Sequence, residues 1–546
     1  MRHLFLLLFV CALSSCKQSN DTTESPTNEV TETDSLTKDF REFKVLDSKY
    51  INVQETWAAF EEELKDFPEG AYVDLKPLVL EQDIPTLQNH IKEGRLTYEA
   101  LTKFYLYRIR KFDRENKLSL NSVIALNPTV VEEARQKDRT LDRGTPEHLI
   151  YGMPILLKDN IDAEGMPTTA GAVILKDNNA KDAFIVNRLK KEGALILGKA
   201  NLSEWAYFFC GDCPSGYSAI GGQTLNPYGR RVLDTGGSSS GSGVAVAANF
   251  CVAAVGSETS GSILSPASQN SAVGLKPTIG LVSRSGIVPI SSTLDTAGPI
   301  AKNVTDAAIL LDALFGEDKT DSKSIYNLWQ SGFYYDGLQN TDLNGKRFGA
   351  IKRLMEDSLY VAALDVLRDQ GAEIIEYEAK RPELNDFRRL LNLDMKKDLT
   401  AYLETYADTS IRARSVADVV KFNETDSLLV MPYGQRLFLG ILEDSATDQE
   451  FSNIKNTLKT QGRHFFDQPM DSLKLDAVLS INNYHAGFAA VAEYPALTVP
   501  MGYAEENGAP KGLTFIGKRL QERQLLEYGL GYEQASKMRR APEGYQ

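Results

Sequence analysis

Histidine is scarce in this chain of 546 residues: there are five, His3, His90, His148, His464 and His485, and none between Tyr151 and Pro299. A serine or cysteine nucleophile in that stretch would have to import a histidine base from far along the chain. The lysine-closed phosphate loop Gly-x-x-x-x-Gly-Lys-Ser/Thr is missing, which removes the usual nucleotide cradle. No uninterrupted apolar run reaches the roughly 18 residues of a membrane-spanning helix. Positive charge is in deficit, and a formal net charge of −14 argues against non-specific nucleic-acid binding. Cysteines number five, at Cys11, Cys16, Cys210, Cys213 and Cys251. Cys210 and Cys213 have the C-x-x-C spacing, which suits a disulfide in an oxidising compartment or half of a metal clip. Two ligands are a weak metal signal, so neither metal nor cofactor is expected. Cys251 lies in an apolar run and reads as buried packing. No internal repeat is found.

What is present is organised around the stretch from Leu233 to Pro266. It reads Leu-Asp-Thr-Gly-Gly-Ser-Ser-Ser-Gly-Ser-Gly, an apolar run, then Gly-Ser-Glu-Thr-Ser-Gly-Ser-Ile-Leu-Ser-Pro. The run from Val244 to Gly256 is long enough for a short helix turning into a buried strand, so both serine/glycine loops can meet at one edge of a core. Glycines let backbone N–H groups approach an anion, and serine hydroxyls become nucleophiles once a base takes their proton. The combination suits acyl transfer. A flexible linker is the alternative on composition, but apolar flanks do not fit a solvated tether.

With histidine remote, lysine is the candidate base. Gly152-Met-Pro-Ile-Leu-Leu-Lys-Asp-Asn160 is a strand-like run that delivers Lys158 at its end. Burial there would disfavour the ammonium and turn the amine into a proton acceptor. The competing expectation is a solvated lysine or an ion pair with Asp159 or Asp162.

Lys158, Ser238 in Gly-Gly-Ser-Ser-Ser-Gly-Ser-Gly and Ser262 in Gly-Ser-Glu-Thr-Ser-Gly-Ser-Ile together resemble the Lys, cis-Ser and nucleophilic Ser of the amidase signature family. Thr169-Ala-Gly171, Leu197 to Trp205, Gly274-Leu-Lys-Pro-Thr278 and Asp295-Thr-Ala-Gly-Pro299 extend the resemblance over about residues 84–542. Within the family the chain looks most like bacterial peptide amidases. The resemblance implies an α/β layered fold with a mixed central β-sheet flanked by helices. It also implies a triad of Lys158, Ser238 and Ser262, an oxyanion hole of the N–H groups of Thr259, Ser260, Gly261 and Ser262, and a supporting hydrogen-bond role for Ser239. The implied chemistry is amide hydrolysis through an acyl-enzyme, without cofactor.

Two positions depart from the family pattern. Amidotransferase-like members carry Arg where this chain has Leu264, and that arginine helps hold a substrate α-carboxylate; its absence speaks against a free α-carboxylate being recognised there. Ser260 stands where many members carry Asp or Gly.

At the N-terminus, Arg2, the apolar run Leu4 to Val10 and Leu13-Ser-Ser-Cys16 have the layout of a secretory signal and resemble a bacterial lipobox. Residues 1–15 are expected to be a signal peptide, Cys16 the lipidated N-terminus and a membrane anchor, and residues 16–39 a polar, disordered tether. The expected location is the bacterial cell envelope. Residues 40–546 then form one catalytic domain, with a signature core over about 151–314 and a mainly helical cleft region over about 382–473.

Local patterns fill in this frame. Ile84, Leu87 and Ile91 keep helical spacing, Gly94 ends that helix, and Thr97 caps the next, which carries Leu101, Tyr105 and Ile109 on one face. Asp182 to Lys190 reads as a helix and Ala194 to Leu197 as a strand, an alternation that argues for an α/β fold. Further strands are expected at Arg347 to Lys352, Ala372 to Tyr377, Leu475 to Ile481 and Ala496 to Pro500, and a last helix from Glu522 to Ser536. The expected activity is hydrolysis of carboxamides, peptide C-terminal amides among them. The alternatives are a non-catalytic binding lipoprotein and a glutamine-hydrolysing, amidotransferase-like subunit.

Overall fold

A computed structural model describes residues 43–114, 117–141, 148–326 and 330–546. The expected signal, tether and Cys16 lie outside the described residues. From Phe43 onward the chain forms one unit built on an eleven-stranded sheet. Its strands are β1 (Val123–Leu126), β2 (Pro154–Lys158), β3 (Leu195–Ala200), β4 (Ala253–Glu258), β5 (Val273–Lys276), β6 (Thr296–Ala301), β7 (Arg347–Ile351), β8 (Glu373–Tyr377), β9 (Ala477–Ile481), β10 (Ala496–Tyr503) and β11 (Pro510–Ile516). Their spatial order is β1-β3-β2-β4-β6-β5-β10-β11-β9-β7-β8.

The sheet is mixed. β3, β2 and β4 run parallel, as do β9, β7 and β8, while β1 and the central run from β4 through β6, β5, β10 and β11 to β9 pair antiparallel. β2 and β4 are buried along their whole length, and both begin with consecutive apolar residues rather than an alternating pattern before ending in the polar Lys158 and Ser257-Glu258. Val304–Leu314 packs on β6 and Glu522–Ser536 on β10, so helices cover the sheet.

Local signals hold well. Asp83 caps the helix Ile84–Lys92 by accepting from Thr86 N at 2.8 Å, and Thr97 caps Tyr98–Phe112 by accepting from Ala100 N at 3.0 Å. The apolar unit between the serine loops is the helix Ser240–Ala247 followed by β4. The region expected to be helical contains Phe387–Thr405, Val416–Asn423, Arg436–Glu443 and Asp448–Leu473. Cys210 and Cys213 form a disulfide, and Cys251 is a buried free thiol. Among the described residues no helix is long and apolar enough to cross a membrane.

Candidate active site

Parallel pairing of β2 with β4 sets Leu157 opposite Val255, so Lys158 leaves its strand beside Ser257. There its Nζ lies 2.7 Å from Ser238 Oγ, 2.9 Å from Ser257 Oγ and 3.1 Å from Ser257 O. Lys158 and Ser238 are both fully buried. Burial pushes the Lys158 ammonium down to about 7, against the opposing pull of the Asp295 and Glu258 carboxylates. The carboxylates that could have paired with Lys158 are engaged elsewhere: Asp159 pairs with Lys199 at 3.3 Å, and Asp162 accepts a hydrogen bond from Tyr402 OH at 2.7 Å.

Ser238 is held by its backbone. The Gly237–Ser238 peptide bond is cis, and the Ser238 carbonyl accepts from Ser203 N at 3.0 Å. Ser239 Oγ donates to Ser257 O at 3.1 Å and accepts from Ser257 N at 3.2 Å, fastening the first serine loop to the end of β4. The Ser239 N–H donates to Ser262 O at 3.2 Å, which ties the half-buried Ser262 to the loop that carries Ser238. Asn160 Nδ2 reaches Ser257 Oγ at 3.0 Å.

Glu258 organises the second loop. Its buried carboxylate accepts from Gly261 N and Ile263 N at 2.7 Å and from Leu264 N at 3.1 Å, gripping the backbone on both sides of Ser262. This corrects the expected oxyanion hole at one position: the Gly261 N–H is already bound to Glu258. The N–H groups of Thr259, Ser260 and Ser262 carry no hydrogen bond among the described residues. Gly261 is needed for another reason. Its φ is +89°, and a Cβ there would lie 2.8 Å from the Asn483 side-chain nitrogen. Thr259 Oγ1 donates to Asp295 Oδ1 at 2.5 Å, while Asp295 Oδ2 accepts from Ile290 N and Ser291 N at 2.8 Å. Burial raises the Asp295 carboxyl, opposed by those hydrogen bonds.

Residue type and spacing assign no role to Ser257 or Glu258, although both stand in the motif, and they do not point to Asn160 or Asn483 at all. A lone acidic residue inside a serine/glycine loop is a signal for Glu258, because clustered backbone N–H groups need an acceptor. Contacts of Asn160 and Asn483 depend on strand packing and have no local signature.

The described histidines take no part. His90 Nδ1 meets Leu78 O, His148 Nε2 meets Asp312, and His485 Nδ1 lies 2.6 Å from Ser480 Oγ, with burial lowering its basicity to about 4. Among the described residues no group of three metal-ligating side chains is assembled. A cavity of about 610 Å³ opens on Ser257, Thr259 and Asp295 and extends to Asp398 and Tyr402.

The fold places the chain in a class: a large mixed sheet flanked by helices, as in solved amidase structures. A sequence profile of the amidase family matches residues 100–480. A probable amidase of Arabidopsis thaliana is 36% identical over 483 residues, 85% of this chain and 92% of that protein. A glutamyl-tRNA(Gln) amidotransferase component from Microcystis aeruginosa is 32% identical over 487 residues, 82% of this chain and 96% of that protein. Among solved structures, an amidase family protein from Bacillus anthracis superposes with TM-score 0.85 at 36% identity, covering 91% of this chain and 100% of that one. The peptide amidase of Stenotrophomonas maltophilia gives 0.79 at 38% identity, covering 85% and 99%. The chain belongs to the amidase signature family, and it is an enzyme that hydrolyses amides.

Proposed function

We propose that this protein is a serine amidase that hydrolyses carboxamides, peptide C-terminal amides among them, through an acyl-enzyme on Ser262. The observation that carries the reading is the fully buried Lys158–Ser238 contact at 2.7 Å, with a lysine whose basicity is low enough to be neutral near pH 7. Neutral Lys158 takes the Ser238 proton as Ser238 takes that of Ser262; the Ser262 oxygen attacks the carbonyl carbon, and the C=O electron pair moves onto oxygen. The N–H groups of Thr259, Ser260 and Ser262 face that oxyanion, each donor of this kind being worth on the order of 3 kcal/mol. Ser239 fixes the relay by bonding Ser257. The proton returns through Ser238 to the leaving nitrogen, the C–N bond breaks, and water resolves the ester by the same route.

Similarity to a peptide amidase over 85% of the chain supports the peptide-amide substrate class. Glutamine hydrolysis for amidotransfer is disfavoured by Leu264, since no guanidinium stands at that position to hold an α-carboxylate. A purely binding role is disfavoured by the intact Lys158–Ser238 pair. Lipidation of Cys16 and an envelope location complete the proposal, on the residues of the N-terminal motif alone.

The test is intact-mass analysis after incubation with a fluorophosphonate, followed by peptide mapping. A single adduct on Ser262, lost in Ser262→Ala and slowed in Lys158→Ala, supports the mechanism; an adduct on another residue overturns the assignment of the nucleophile.

A further inference from the structure

A second cavity of about 370 Å³ adjoins the first, the two sharing Ser292 and Ser322 in their walls. The loop between them is one physical link. Asp295 at its end binds Thr259 of the nucleophile loop, while Ser291 Oγ donates to Asp394 at 2.5 Å and Ser292 N to Asp398 at 2.5 Å. The first cavity, which opens on Thr259, therefore has the second as its neighbour across Ser292 and Ser322.

The second cavity is basic in a chain whose net charge is −14. Lys323, Lys397, Lys455 and Lys459 line it, with Glu493 as the one acidic lining residue. Lys323 and Lys459 share Glu493 at 2.8 and 2.7 Å, with Arg463 also within 3.5 Å of it. Lys455 reaches the buried Asp394 at 3.3 Å. Lys397 is exposed and has no hydrogen bond or ion pair among the described residues. Four lysines and one carboxylate thus line the cavity, and of the four Lys397 has no carboxylate partner among the described residues. Lys455, Lys459 and Arg463 recur at four-residue intervals on the helix Asp448–Leu473, a like-charge spacing that Asp394 and Glu493 offset within the protein. The first cavity offers no such surplus, because Arg284 is spent on Asp321 and the remaining charges there are carboxylates.

We propose that the lysine-lined cavity binds an anionic group on the acyl part of the substrate, so that the preferred amides are those of acidic peptides. The inference rests on the amidase reading above. A primary carboxamide releases only ammonia, so every other recognised group belongs to the acyl portion, and the cavity that opens on Thr259 gives that portion space beside the nucleophile loop. Leu264 removes the cation that would hold a carboxylate next to the scissile bond; the lysines place positive charge farther away, where a side-chain carboxylate of an upstream residue can reach it.

Binding is measured on the full chain carrying Ser262→Ala, by calorimetry, with two peptide amides of equal length, one bearing upstream Glu residues and one Gln. The acidic peptide is expected to bind about tenfold more tightly at low ionic strength, a difference of about 1.4 kcal/mol. That advantage disappears in Lys397→Glu combined with Lys459→Gln, substitutions that leave Glu493 with Lys323 and Arg463, and it shrinks in high salt. Equal affinities for the two peptides, or a preference unmoved by the lysine substitutions, overturn the proposal. Hydrolysis of the Gln peptide by the unsubstituted enzyme is followed in parallel: its absence with the binding preference intact overturns the peptide-amidase reading alone, and its presence with equal affinities overturns the anion site alone.

Discussion

Lys158 Nζ and Ser238 Oγ meet at 2.7 Å where neither side chain is exposed. A lysine in that position gives up its proton near pH 7 because water is absent, and only then can it accept one from a serine. The acylation rate is expected to rise with pH through about 7 and level off above it, since the proposed mechanism uses the neutral amine. In Lys158→Ala the rate should fall by roughly 10²- to 10⁴-fold and lose that inflection. Stopped-flow acylation by an activated ester across pH checks both.

The same burial has a consequence for stability. An unfolded lysine titrates near its ordinary value of 10.5, so between about pH 7 and that value the unfolded state holds more protons than the folded one. Stability contributed at this site therefore rises with pH across the window and is lowest below about pH 7, where a buried ammonium must be kept. Lys158→Met should abolish activity yet raise the melting temperature, most strongly at about pH 6 and least at about pH 10. Calorimetric unfolding at the two pH values reads the difference.

Glu258 accepts from three backbone N–H groups around Ser262, and Glu258→Gln leaves a single carbonyl oxygen to serve them. Hydrogen bonds to a charged acceptor contribute about 1.5–3 kcal/mol each, so the variant should lose a few kcal/mol of stability. With the loop no longer held, kcat should fall more than KM changes. Steady-state kinetics beside a thermal melt separates this from simple unfolding.

The Cys210–Cys213 disulfide closes a very short loop. The chain-entropy relation for so small a ring gives about 2 kcal/mol. Replacing both cysteines by serine should lower stability by that order and leave the acylation rate of Ser262 unchanged, because neither sulfur contacts Lys158, Ser238 or Ser262. A urea titration with parallel fluorophosphonate labelling checks the pair of outcomes.

Cys16→Ala should abolish incorporation of a labelled fatty acid and move the protein from the membrane to the soluble fraction. Unchanged labelling would remove the anchor.

Much of the fold could be read locally. The cap Thr97, the helix from Glu522 to Ser536, and the apolar starts of β2 and β4 each carry their own signal, because capping and strand burial depend on neighbouring residues. Strand order could not be read that way: β5 lies between β6 and β10, a pairing made across more than two hundred residues with no local mark.

For the site, residue type and spacing pointed to two serine/glycine loops and to Lys158 as the candidate base in a stretch without histidine, while the resemblance to the amidase signature family singled out Ser238 and Ser262 within those loops and Ser239 as a supporting residue. Whether Lys158 would be a solvated cation or a neutral base was undecided by sequence, since Asp159 and Asp162 stood beside it. Tertiary structure decided this by giving Asp159 to Lys199 and Asp162 to Tyr402, and by closing water away from Nζ. It likewise gave the Gly261 N–H, expected in an oxyanion hole, to Glu258 of the same loop, and it set Asn483 against Gly261. Chemistry was legible in the chain because it depends on which groups are present; the protonation state and the free donors were not, because they depend on what packs around those groups.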